Sequence, residues 1–117
     1  WCDVGLYVGA SKLNIAELRE LELQPSVCAV QVFAGSSTGD LLVDEQEALE
    51  RIFAETTLPI CAHCEDESTV RANKARYAGT TNVADHSRIR DTAAAVAATT
   101  RAIGLAKRYR HRFHVLH

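Results

Sequence analysis

Short apolar runs alternate with segments of helical periodicity along the whole chain, and this alternation constrains the fold more than any other feature. Strands separated by helices pair in parallel, and parallel sheets and barrels gather their chemistry at the strand carboxyl ends. Two of the runs, Leu58-Pro59-Ile60-Cys61-Ala62-His63 and Arg112-Phe113-His114-Val115-Leu116-His117, close on a histidine. A neutral imidazole at such an end is well placed to ligate a divalent transition metal. His63 and His117, in matching positions, therefore suggest one shared metal site. Period-2 alternation puts Cys61 and His63 on one side of their strand and Ala62 and Cys64 on the other. It puts His114 and Leu116 together, so His114 and His117 are not expected in the same site. His86 and His111 read as surface residues in a loop and at a helix end.

The spacing predicts strands over residues 2–8, 27–33, 59–63 and 112–117. The run from Val27 to Phe33 is apolar almost throughout, as a strand buried on both faces should be. Asn14 is a candidate cap for a short helix through Ala16, Leu18 and Leu21, which Pro25 ends. Further helices are expected over 44–55, burying Ala48, Leu49, Ile52 and Phe53, over 67–77, and over 91–110. Residues 35–40 and 78–82 read as loops. Four strands and four helices in alternation make an α/β unit. It equals half of an eight-stranded barrel of roughly 250 residues or an incomplete doubly wound sheet. Pattern alone does not separate the two.

Of the 117 residues, 47% are hydrophobic and 24% charged, as in an ordinary globular domain. A net charge of −2 gives no argument for a nucleic-acid partner. The basic cluster Lys107 to Arg112 falls in the last turn of an expected helix, where cations complement the dipole. No apolar stretch approaches the roughly 20 residues of a membrane span, and no signal peptide opens the chain, so a cytoplasmic location is expected. The absence of methionine, a start on Trp1 and an end on an apolar run point to an internal piece of a longer protein. Half a barrel would leave unpaired strand edges and an apolar face, so self-association of the isolated piece is expected.

Cys2, Cys28, Cys61 and Cys64 lie in or beside apolar runs and read as reduced thiols. Cys61 and Cys64 form a C-x-x-C at a strand-to-helix junction. A thioredoxin-like site would place a cis-proline later in the chain, and Pro25 and Pro59 both precede it. A structural zinc site wants a second cysteine or histidine pair. The loop from Gly35 to Asp40 lacks the lysine of a phosphate-binding Walker motif, which leaves a loop over the strand ends, where substrate contacts are common.

Together, Val30-Gln31-Val32-Phe33-Ala34-Gly35-Ser36-Ser37-Thr38-Gly39-Asp40-Leu41-Leu42-Val43-Asp44, His63-Cys64-Glu65-Asp66, Asp85-His86-Ser87-Arg88-Ile89-Arg90 and His114-Val115-Leu116-His117 resemble bacterial dihydroorotases. These belong to the amidohydrolase superfamily of metal-dependent (β/α)8 barrels. The resemblance implies that residues 1–117 are the central part of such a barrel domain, about strands 3 to 6. The implied reaction is the reversible hydrolysis of L-dihydroorotate to N-carbamoyl-L-aspartate in de novo pyrimidine synthesis. A site with one or two zinc ions is implied, with His63 and His117 as the fifth- and sixth-strand ligands. The first-strand H-x-H pair and the eighth-strand catalytic aspartate would lie outside these residues, so the piece alone should be inactive. One departure concerns the metal bridge, because Gln31 stands where the family has a carboxylated lysine. Glutamine cannot form a carbamate, which speaks against a binuclear site. Other readings are a hydantoinase or allantoinase, against which the GSSTGD loop argues, and a non-catalytic partner of aspartate transcarbamoylase, which Gln31 favours. A homodimer is a further expected association.

Overall fold

The computed structural model describes residues 1–35 and 39–117. Ser36, Ser37 and Thr38 of the expected loop lie outside them. Among the described residues four strands, β1 (Leu6–Gly9), β2 (Val27–Phe33), β3 (Ile60–His63) and β4 (Phe113–Leu116), form one parallel sheet in the order β1-β2-β3-β4. Helices α1 (Leu18–Leu21), α2 (Gln46–Glu55), α3 (Glu67–Arg76), α4 (His86–Ile89) and α5 (Thr92–Tyr109) connect them.

The helices that fill the core all lie on one face of the sheet. Val30, Val32, Ile60 and Ala62 point from the strands into a cluster with Leu18 of α1, Leu49, Ile52 and Phe53 of α2, and Ala98, Ala102 and Leu105 of α5. A doubly wound sheet would place helices on both faces and reverse its strand order at a switch point. Among the described residues this sheet does neither, so of the two architectures open to the sequence the doubly wound one does not describe it.

Several expected elements differ in extent. β1 starts at Leu6 rather than residue 2, because its neighbour β2 begins only at Val27 and a strand extends only as far as it has a ladder partner. Cys28, expected to be buried in β2, is exposed at that thin edge. Asn14 does not cap a helix through its side chain. Its carboxamide instead closes the turn after β1, accepting from the Ser11 amide at 2.8 Å and donating to the Gly9 carbonyl at 2.9 Å. Strict alternation fails between β3 and β4, where α3, α4 and α5 all intervene, and His86 opens α4 rather than lying in a loop. Nor is His111 a free surface residue. Its ring meets Phe53 edge-on at 5.7 Å, and its Nε2 lies 3.0 Å from the Thr56 carbonyl.

α5 follows its sequence signals closely. Asp91 caps it by accepting from the Ala94 amide at 2.9 Å, and Arg110 ends it in the left-handed conformation at φ 52°. Ala94, Ala98, Ala102 and Leu105 recur at helical spacing and are its buried stripe. Asp66 caps α3 in the same way, accepting from the Thr69 amide at 2.9 Å and from the Ser68 and Thr69 hydroxyls. These bonds hold the Asp66 carboxyl below its ordinary range, the Ser68 hydroxyl contributing most. A depressed folded-state value means that the bond stabilises above the unfolded carboxylate range and is lost as pH falls below about 4. Asp66→Ala should therefore cost about 1 kcal/mol at neutral pH, with the difference from the parent shrinking toward pH 3. Urea unfolding at both pH values checks this.

Candidate functional site

The helix-free face of the sheet carries the candidate chemistry. In a parallel pair, residues in register point the same way. Gln31 is in register with Cys61 and Phe33 with His63, while Cys61 is in register with His114 and His63 with Leu116. Gln31, Phe33, Cys61, His63, His114 and Leu116 thus share one face, opposite the packed face of Val30, Val32, Ile60 and Ala62. Gln31 lies one side-chain step below Phe33 and His63.

This register corrects the expectation that His63 and His117 occupy matching positions. The counterpart of His63 in β4 is Leu116, and His117 lies one residue further on, beyond the strand. A residue past the last ladder bond is not bound by strand alternation. The His117 ring accordingly comes to 5.2 Å from the His63 ring, centroid to centroid, at an interplanar angle of 41°. Phe33 flanks His63 on the other strand at 6.4 Å. His114, assigned away from the site by its spacing from His117, is exposed on the same face as His63, one step below it.

Each residue of the His63-Cys64-Glu65-Asp66 turn has a separate physical task. The His63 Nε2 hydrogen-bonds a carboxylate oxygen of Glu65 at 2.9 Å, and both side chains are largely buried. Cys64 turns the other way into the helix-side core, where burial pushes its thiol up. A reactive C-x-x-C cysteine has a lowered value, so the pair is core packing on one side and site lining on the other. Glu65 also accepts from the Arg90 guanidinium, through the oxygen that meets His63. Asp66 caps α3, and its amide donates to the Ala94 carbonyl at 3.0 Å, fastening the turn to α5.

The loop that opens at Gly35 presses directly on this turn. A Cβ on Gly35 would lie 2.1 Å from the Glu65 carbonyl oxygen, so only glycine lets the two segments pass. Beyond residues 36–38, Gly39–Leu41 forms a 3-10 turn, and the Val43 amide returns to the Phe33 carbonyl at 2.8 Å. Lys12, on the loop after β1, bridges Asp44 at 3.1 Å and Glu45 at 2.8 Å. With Asp44 held there, α2 starts at Gln46 rather than at residue 44. Lys12, Leu13, Asp40 and Leu42 line a shallow cavity of about 290 Å³ between these loops.

His63 and His117 fit two positions of a metal site. Their rings adjoin at the carboxyl ends of neighbouring strands, and His63 gives one nitrogen to a buried carboxylate, as ligating histidines commonly do. Two imidazoles are fewer than the three protein ligands of catalytic zinc sites. Among the described residues, no group of three or more histidine, cysteine and acidic side chains could hold a metal on its own. Sequence reasoning singled out both histidines but missed Glu65 and Arg90. The signal for Glu65 was its place two residues after a strand-end histidine.

No protein-family model matches the chain, and no curated protein matches it. Solved structures do. The L-hydantoinase (dihydropyrimidinase) of Arthrobacter aurescens superposes on 98% of the chain with a TM-score of 0.88 at 24% identity. The dihydropyrimidinase of Brevibacillus agri NCHU1002 covers 97% with a TM-score of 0.74 at 23% identity, and the D-hydantoinase of Bacillus sp. AR9 covers 98% with 0.76 at 21%. The chain spans 27%, 25% and 27% of those proteins' lengths, respectively. Among the described residues, no helix is long and apolar enough to cross a membrane. The chain has the fold of about a quarter of a hydantoinase.

Proposed function

We propose that these residues are part of a metal-dependent cyclic amidohydrolase with a (β/α)8 barrel, and that its substrate is L-dihydroorotate. The observation that carries the reading is the paired rings of His63 and His117 at adjacent strand ends, backed by Glu65, on a fold shared with hydantoinases. The sequential parallel strands with core-filling helices on one face support the barrel. The substrate assignment rests on the dihydroorotase-like motifs of the sequence, since hydantoinase-like structures point equally to other cyclic amides.

In this reading His63 and His117 hold zinc, which when bound polarises the ring amide carbonyl of the substrate. Glu65 orients His63. The loops around Gly35 and Lys12 border the strand ends through which a small molecule would enter.

Gln31 favours a second reading, a non-catalytic barrel associated with aspartate transcarbamoylase or with its own copy. It stands at the site-facing position where a carboxylated lysine would bridge two metals. A mononuclear site reconciles Gln31 with catalysis.

The test compares zinc-loaded intact polypeptide on dihydroorotate and on hydantoin. Preferential hydrolysis of dihydroorotate, lost in both His63→Ala and His117→Ala together with bound zinc, is the expected result. Preference for hydantoin would overturn the substrate assignment. No turnover of either, with no gain of zinc in Gln31→Lys, would establish the scaffold.

A further inference from the structure

Arg90 ends the Asp85 to Arg90 motif, at the carboxyl end of α4. It follows α4 immediately, and its amide donates to the His86 carbonyl at 2.9 Å. The next residue, Asp91, caps α5 and also accepts from the Asn73 side chain at 3.0 Å, while Asn73 donates to the Ile89 carbonyl at 3.2 Å. The backbone that presents Arg90 is therefore fastened on both sides, to α3 and to α5. From this support the guanidinium reaches the Glu65 oxygen that also meets the His63 Nε2. The Glu65 side chain is 14% exposed and that of Arg90 29%.

We propose that Arg90 is a positioning residue for the candidate metal centre, acting through Glu65 to fix the tautomer and orientation of His63. A carboxylate only accepts hydrogen bonds, so the His63 Nε2 carries the hydrogen of this pair. In the neutral ring the lone pair then belongs to Nδ1, the nitrogen turned away from Glu65. Neutral imidazole alone would not compensate the desolvation of a largely buried carboxylate. Arg90 supplies the opposite charge, its Nη1 donating to the same Glu65 Oε2 that meets His63 and so holding that oxygen toward the ring. Without it Glu65 is free to rotate toward water, and His63 loses the partner that distinguishes its two nitrogens. Arg90 also places the α4–α5 junction in the metal centre's supporting shell.

The inference rests on the metal reading, and the experiment separates the two. Long-range proton–nitrogen spectra of the metal-free, labelled intact polypeptide report the His63 tautomer. Zinc titration reports affinity. The parent should show the Nε2–H tautomer. Arg90→Met and Glu65→Gln should show mixed tautomers and bind zinc about 10- to 100-fold more weakly, with partial recovery in Arg90→Lys. A structural tie alone would lower the melting temperature of Arg90→Met while leaving tautomer and zinc affinity unchanged, and that result overturns the proposal. Should Arg90→Met not fold, Glu65→Gln and Arg90→Lys carry the same comparison. Failure of the parent to bind zinc would overturn the metal reading, while the tautomer measured without metal still decides the role of Arg90.

Discussion

Phe53→Ala should lower the unfolding free energy by roughly 3–5 kcal/mol, a third or more of the stability of a marginal domain. Phe53 is 2% exposed and heads the fully buried side chains by volume. Its ring lies 5.8 Å from that of Phe113 and 5.7 Å from that of His111, so it joins α2 to β4 and to the end of α5. Truncation removes the aromatic contacts and leaves a cavity that the flanking backbone of a parallel sheet cannot easily close. The transfer term and the cavity term therefore add. Denaturant unfolding of the intact polypeptide measures the loss, and Phe53→Leu, which refills part of the volume, should recover a substantial share. A loss below about 1 kcal/mol would mean that the ring does not occupy this core.

Gly35→Ala should have the second largest effect, through sterics rather than burial. The added methyl would lie 2.1 Å from the Glu65 carbonyl oxygen and 2.9 Å from its carbon. Both are backbone atoms, so no rotamer change relieves the clash, and either the Gly35 loop or the Glu65 turn must move. Relief of such overpacking costs about 1–3 kcal/mol. Because the displaced residue is the partner of His63, zinc affinity should fall along with the melting temperature. Gly104→Ala is the internal control. Its methyl meets nothing within 4 Å on an exposed face of α5, and removing a helical glycine should stabilise by about 0.5–1 kcal/mol. Equal behaviour of the two variants would show that the Gly35 contact does not exist.

The strands, the long helices and the two histidines were legible in the sequence because local periodicity encodes them. The interval 27–33 emerged as β2 without change, and the buried quartet of α2 is Ala48, Leu49, Ile52 and Phe53 as its spacing indicated. The start of β1 was not legible, since residues 2–5 carry no local signal that the neighbouring strand is missing beside them. The setting of His111 was hidden because its partners, Phe53 and Thr56, lie more than 50 residues away. The task of Glu65 is hidden from local pattern, since Arg90 approaches it from 25 residues further along.

Amino-acid order by itself determined the α/β class, the parallel sense of the sheet and the placing of His63 and His117 near strand ends. Each of these follows from periodicity over a few residues. Only the tertiary structure decided that the helices cover one face, that His63 is in register with Leu116, and that His117 reaches His63 by leaving its strand. The same holds for the Arg90–Glu65–His63 relay and for the glycine at position 35. These depend on ladder register and on contacts between distant segments, which no local pattern records.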